Sequence, residues 1–134
     1  MKLHPDDFIV NNTWIAVRVN ESFIYVQGEP YDGHILMDAG SCFVFGFVFT
    51  KTVDIIPSEN EVQELLKKAW SAKSEWANEL IIPNNYPAGT VFADQAQKNG
   101  LHITYVNESD LDLIVGPLKQ SFEEDFLRTP EKWS

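Results

Sequence analysis

The side chains of this sequence that could hold a ligand are oxygen donors near the ends of apolar segments. We interpret four of them, Asp38, Asn84, Asn85 and Glu123, as candidate ligand-binding residues. Carboxylate oxygens bind hard divalent cations, whereas amides carry no charge and bind such ions weakly. We predict no catalytic residue, no metal site and no cofactor from this set.

Two of these places also have a simpler structural explanation. Asp38 precedes Ala39 and Gly40, and an Asp in that position starts a tight turn by capping its own backbone, which we favour over a ligand role. Residues 84–89 follow an apolar strand, where open α/β sheets place ligands. The run Pro-Asn-Asn-Tyr-Pro is, however, sufficiently explained as a turn that leads into a helix, so a ligand role is not required.

The histidines and the cysteine do not form a recognisable site. His34 and His102 lie on predicted strands without the His-x-x-x-His or Glu-x-x-His spacing of metal ligands, so we expect each to be a buried, hydrogen-bonded or an exposed histidine. Cys42 is the single cysteine, which excludes an internal disulfide and a multi-thiolate metal site. We predict an inert thiol inside an apolar strand, with a raised pKa.

The composition predicts one globular domain over residues 1–134, with a short C-terminal tail from about residue 129. The chain is 44% hydrophobic and carries a formal net charge of −10. Lys67, Lys68 and Lys73 are interspersed with glutamates, which indicates a solvated helix face, so we expect no nucleic-acid binding. The N-terminus lacks the apolar run of a signal peptide, and the longest apolar run, residues 42–49, is too short to span a membrane. We therefore expect a cytoplasmic protein.

Alternating apolar residues predict several strands in the first half of the chain. Thr13–Val19 and Ser22–Gln27 alternate and are rich in β-branched or aromatic residues. His34–Met37 and Cys42–Thr50 form a predicted hairpin, with Gly40 at a positive φ. Between the second strand and the hairpin, Gly28, Pro30, Asp32 and Gly33 indicate a turn.

Helices and strands alternate in the second half. Ser58 and Glu61 form a capping box that starts a helix over Glu59–Ala77. The later strands are predicted over Glu79–Ile82 and Leu101–Val106. Between them, a helix begins at Thr90, which is its N-terminal cap, and runs to Asn99, with Gly100 as the C-terminal cap. A last helix starts at Pro117 and buries Leu118, Phe122 and Phe126. The fold class is therefore α/β, with a mixed sheet of antiparallel strands first, then helix, strand, helix, strand, helix.

This order resembles the RNase H-like fold, and parts of the sequence resemble the catalytic core of integrases and transposases. Trp14 stands on the first strand, and Ile35–Gly46 is similar to the run "apolar, apolar, Asp, x, x, Ser, x, apolar, x, apolar, Gly" of their second and third strands. Leu80–Asn85 lies where those enzymes carry a strand leading to their second catalytic Asp, and Thr90–Val106 also matches.

The resemblance implies a two-metal site held by carboxylates from the first strand, the loop after the fourth strand and a late helix. Here the only charged residue of the first strand is Arg18, and the loop offers Asn84 and Asn85. Acids remain only on the last helix, at Glu123, Glu124 and Asp125. We therefore predict a non-catalytic domain that acts through protein contacts.

The partner is either another protein or a second copy of the chain. Trp70 and Trp76 are predicted core residues, although they could form a partner surface, and Trp133 on the tail could dock on a neighbour. The alternative function is a small-molecule- or metal-dependent phosphodiester hydrolase that uses Asp38, the loop at residues 84–89 and Glu123 or Glu124.

Overall fold

A computed structural model describes residues 2–20 and 24–124 of the chain. Asp125 and Phe126 of the predicted last helix, and the predicted tail with Trp133, lie outside the described residues. Within the described ranges the strands are β1 (Thr13–Arg18), β2 (Ile24–Val26), β3 (Glu29–Asp38), β4 (Val44–Lys51), β5 (Glu79–Pro83) and β6 (His102–Val106). The α-helices there are α1 (Glu59–Lys73), α2 (Gly89–Lys98) and α3 (Asp112–Phe122).

The strands form one mixed sheet. β3 pairs antiparallel with β1 and with β4, and β1 and β5 as well as β5 and β6 are parallel neighbours. Because Tyr31 of β3 pairs with β2 and also with β4, β2 must lie on the same edge of β3 as β1. Across the sheet, β4 therefore comes first and β3 second. The third position is shared by β1 and β2, which lie end to end along β3, and β5 and β6 follow beside β1. This confirms the predicted mixed sheet, and β2 extends the first strand.

Alternation along the central strands divides the core into two layers. Trp14 and Ala16 of β1 face α1 and α2, whereas Ile15 and Val17 face α3. Both faces of β1 are buried. Helices thus cover both sides of the sheet, as the helix–strand alternation of the sequence predicts.

The predicted hairpin is confirmed, but two details of this region are wrong. The positive φ of the β3–β4 turn belongs to Cys42 (φ 62°), which is exposed, rather than to Gly40. Gly40 is needed for space, because a Cβ there would lie 2.9 Å from the backbone nitrogen of Val10. The predicted turn at residues 28–33 is shorter than expected: Gln27 and Gly28 turn the chain with positive φ, and Pro30, Asp32 and Gly33 belong to β3.

The observed ends of α1 and α2 show which local sequence signals are sufficient to predict where a helix begins or ends. The capping box of Ser58 and Glu61 is confirmed. Helix α1 ends at Lys73 instead of Ala77, because Ser74 is left-handed (φ 58°). Gly100 has the expected positive φ of 86° after α2.

The N-terminal predictions for α2 and α3 are wrong. Thr90 does not cap α2, since the cap is Ala88 and the Thr90 hydroxyl donates to the carbonyl of Pro87. Pro117 lies inside α3 rather than at its start. The helix tolerates the lost hydrogen bond because Ile114, Val115 and Phe122 pack on the sheet.

The stripe of α1 is confirmed for Val62, Leu65, Leu66 and Ala69, which are buried. Trp76 packs against this core, but Trp70 is exposed, so its predicted core role is wrong. Among the described residues, no helix is both long and apolar enough to cross a membrane.

Replacing Asp38 by Ala should lower the free energy of unfolding by about 3 kcal/mol, measured by urea denaturation. Asp38 is fully buried, and its carboxylate accepts from the amide of Asn11 (2.7 Å) and from the amide (2.9 Å) and hydroxyl (2.6 Å) of Ser41. The variant leaves these donors without their acceptor. Asp94→Ala, at an exposed position of α2, is the control and should change stability by less than about 0.5 kcal/mol. A near-neutral Asp38→Ala would contradict the turn-capping role.

Candidate functional site

A cleft of about 350 Å³ opens where the parallel strands end. Arg18 is the last residue of β1, Asn84 follows β5, and Glu108 follows β6, and all three line it. Asp32 and His34 reach the same cleft from β3, which runs antiparallel to β1. Carboxyl ends of parallel strands are where open α/β sheets bind ligands, so this cleft is the candidate site.

His34 and Tyr86 form the floor of the cleft. His34 lies opposite Arg18 in the β1–β3 register and is only 2% exposed. Its Nδ1 lies 2.5 Å from the hydroxyl oxygen of Tyr86. Its other ring nitrogen, Nε2, is buried with no hydrogen-bond partner, and so is the hydroxyl of Thr52, another residue of the cleft wall.

Burial keeps this pair neutral. It lowers the pKa of His34 to about 4, against the raising effect of the Asp32 carboxylate; Arg18 lowers the pKa further and Glu61 raises it. Burial also raises the pKa of Tyr86 well above its usual value. At neutral pH the cleft therefore presents an uncharged imidazole and an uncharged phenol.

A second polar network supports the β3 side of the cleft. The side-chain amide of Asn20 donates to Asp32 Oδ1 (2.9 Å), and the Gly33 amide donates to Asn20 Oδ1 (2.7 Å). Arg18 Nη1 lies 3.6 Å from Asp32 Oδ1, which is an ion pair but too long for a hydrogen bond. Asp32 is thus held by Asn20 and lies beside the Arg18 charge.

The predicted ligand-binding residues do not share one place. Asn84 and Asn85 line the cleft, and the Asn84 amide donates to Asn107 Oδ1 (3.1 Å). Asp38 pairs with Trp14, four residues before Arg18, which puts it about 13 Å away along β1. Glu123 lines a separate hollow of about 220 Å³ beside Asn20. The structure thus brings Asn84 and Asn85 together and leaves Asp38 and Glu123 apart.

Cys42 and His102 lie outside the cleft. Cys42 is exposed in the β3–β4 turn, so the predicted core position is wrong. Its raised pKa agrees with the sequence prediction, because partial burial and the nearby Asp38 both disfavour the thiolate. His102 is exposed on β6. Across residues 2–20 and 24–124, no three His, Cys, Asp or Glu side chains are grouped so as to hold a metal ion.

The sequence patterns do not predict that one cleft is lined by Arg18, Asp32, His34 and Thr52. Asp32 and His34 are two residues apart, the spacing that places both on one face of a strand. That spacing is a usable signal, but the nearby Gly28, Pro30 and Gly33 predict a turn at Asp32 instead. Thr52 follows β4, and no pattern in the sequence points to its position.

Comparisons with known proteins identify the fold. No protein-family model matches the chain, and no curated protein is significantly similar in sequence. The HTLV-2 integrase catalytic core domain, in complex with magnesium and in a dimeric form, matches with a TM-score of 0.57 and 16% identity, over 98% of this chain and 79% of that one. A chain of the simian T-cell lymphotropic virus intasome in complex with PP2A regulatory subunit B56 gamma matches with a TM-score of 0.55 and 16% identity, over 97% of this chain and 45% of that one.

These likenesses establish the fold and nothing finer. The chain has the RNase H-like fold of the integrase catalytic core, as its sequence resemblance implies. It spans less than half of the intasome chain. Because one fold hosts many activities, the function has to be argued from the site itself.

Lowering the pH should destabilise the protein through His34. The unfolded chain takes up a proton near the ordinary pKa of 6.5, whereas the folded chain does so only near 4. Stability is therefore lost as the pH falls through 6.5, by about 2 kcal/mol from this residue between pH 7.5 and pH 5. Urea denaturation of wild type and His34→Gln at both values measures the difference. His102→Gln should keep the wild-type pH dependence, and an equal pH dependence in His34→Gln would contradict the prediction.

Proposed function

We propose that the chain is a non-catalytic domain of RNase H-like fold that acts through protein contacts. The observation that carries this proposal is the chemistry at the carboxyl ends of β1 and β5. The cation Arg18 and the neutral amide Asn84 lie there. A guanidinium repels divalent cations and an amide does not offset their charge, so this edge is poorly suited to two-metal phosphodiester cleavage.

The alternative, a hydrolase with an atypical carboxylate site, requires Asp38, Asn84 and Glu123 to converge. Their separation argues against it. The carboxylate of Asp38 accepts three hydrogen bonds in a turn, and Glu123 lies in a different hollow. Asp38 lies at the opposite end of β1 from the cleft, and Glu123 is not among the residues that line the cleft.

A partly exposed group of aromatic residues, at the corner where the β3–β4 turn meets the end of α1, supports the role in protein contacts. This aromatic corner consists of Phe43 (53% exposed), Trp70 (43% exposed), Lys73 and Trp76. Lys73 Nζ lies 5.5 Å from the centre of the Phe43 ring, and the rings of Trp70 and Trp76 lie 6.4 Å apart. Exposed aromatic groups of this kind mark interaction surfaces.

We propose a second copy of the chain as the occupant of the aromatic corner. The HTLV-2 integrase core, which has the same fold, is described in a dimeric form. Nucleic acid is not the proposed partner, because the chain has a formal net charge of −10. The free thiol of Cys42 agrees with the reducing cytoplasm that we propose as the location.

Millimolar Mg²⁺ or Mn²⁺ should leave the melting temperature unchanged, and Glu123→Gln/Glu124→Gln should change it by less than about 2 °C. The reason is that an ion stabilises a protein only when the folded state binds it. Differential scanning calorimetry with and without metal measures both effects. A metal-dependent rise in melting temperature that the double variant abolishes, together with cleavage of a labelled duplex, would support the hydrolase and contradict the non-catalytic proposal.

At about 100 µM the wild type should sediment with the mass of two chains, and Trp70→Ser should sediment as one chain. Loss of a central tryptophan at an interface weakens association by at least about thirtyfold. Sedimentation velocity is the measurement. Tyr105→Ser removes an aromatic residue of β6 that is more exposed (55%) than Trp70 (43%), and it should leave the wild-type mass. A monomeric wild type, or equal behaviour of the two variants, would rule out the aromatic corner as the site of self-association.

A further inference from the structure

We infer that the cleft at the carboxyl ends of β1 and β5 binds a small molecule through an anionic oxygen group, a carboxylate or a phosphate. This inference is independent of the proposed protein contacts. It begins from buried polar atoms that lack hydrogen-bond partners. Among the described residues these are His34 Nε2, Thr52 Oγ1 and Thr50 Oγ1, and the first two belong to residues that line this one cleft. A buried polar group without a partner is costly, so two at one cleft point to a ligand.

The chemistry of His34 indicates that its unpaired atom is a donor. A phenol is a better proton donor than a neutral imidazole, so the Tyr86 hydroxyl donates to His34 Nδ1 across their 2.5 Å contact. The ring proton then resides on Nε2. The opposite assignment would leave the Tyr86 hydroxyl proton without an acceptor as well. His34 therefore offers an N–H and Thr52 offers an O–H, and both need an acceptor oxygen.

Arg18 supplies a positive charge and further N–H donors to the cleft. It lies directly opposite His34 on the neighbouring strand, and its side chain is 46% exposed. Directly opposed residues of an antiparallel pair have Cβ atoms about 5 Å apart, so both groups can reach one ligand. The 3.6 Å separation from Asp32 leaves the guanidinium N–H groups able to donate.

Each acid of the cleft already has a partner of its own. Asp32 accepts from Asn20 at 2.9 Å, and Glu108 pairs with Lys119 at 2.8 Å. Val17, Pro87 and Ala88 add apolar surface to the wall, and Asn84 and Asn85 add amide groups. A volume of about 350 Å³ accommodates a small organic body attached to the anionic group.

Titration with inorganic phosphate and, separately, with benzoate tests the inference at pH 7 and constant ionic strength. The signal followed is the Nε2–H of His34 in ¹⁵N-edited NMR spectra. We expect a saturable shift with at least one probe, at a Kd of about 1–10 mM. Phosphate alone would identify a phosphoryl ligand, and benzoate alone would identify a carboxylate.

Matched variants distinguish specific binding in the cleft from non-specific attraction of an anion to the protein. Arg18→Gln should weaken binding at least about tenfold, whereas Lys98→Gln, with the same net charge, should bind as wild type. Thr52→Val should weaken binding at least about threefold, whereas Thr50→Val removes an equally unpaired hydroxyl outside the cleft and should have no effect. Both threonine variants remove a buried unpaired group and should fold. No saturation by either probe up to about 50 mM, or equal weakening within either pair of variants, would overturn the inference.

Discussion

The position of β1 at the centre of the sheet is the constraint on which the rest of the structure depends. β1 is paired along both edges and covered on both faces, so Trp14, Ile15 and Ala16 are fully buried. A charged side chain among them would lose its hydration without a partner, at a cost of several kcal/mol. The first charge that β1 can carry is therefore at its exposed end, Arg18. Arg18 therefore lies at the end of β1 where the segments after β5 and β6 also arrive.

Elements whose signals are local could be predicted from the sequence. Helix α1 carries its own capping box and apolar stripe, and β1 and β5 are short β-branched runs. The start of β3 could not be predicted, because Pro30 and Gly33 are turn residues by local preference. They are extended because β2 and β4 pair with β3 on opposite edges, and the pairing of Tyr31 with Lys51 joins parts of the chain that local preference does not relate. Packing on the sheet likewise overrides the preference of Pro117 for a helix start.

The candidate site was predictable only in part, for a related reason. Asn84 and Asn85 could be placed because they follow a strand, and the end of a parallel strand is a general ligand position. Arg18 and His34 become neighbours only through the antiparallel register of β1 with β3. The same register carries Asp38 to the opposite end of β1, although its chemistry makes it an equally good candidate by sequence. Distances between candidates therefore depend on strand direction and register, which composition does not reveal.

The residues at the carboxyl ends of β1 and β5 differ from the carboxylates of a two-metal site, although the fold that presents them is the same. A divalent cation needs several uncompensated carboxylates, whereas here each acid of the cleft lies beside a cation or a donor amide. On our assignment, the cleft groups without hydrogen-bond partners, at His34 and Thr52, are donors. The neighbouring Arg18 is permanently charged. His34 stays neutral down to a pH of about 4, so protonation of the imidazole does not alter this balance near neutral pH. On our proposal, the same end of an RNase H-like sheet thus accepts an anionic group where carboxylates would hold a cation. The fold fixes the location of the site, and the side chains at that location determine the charge of the ligand.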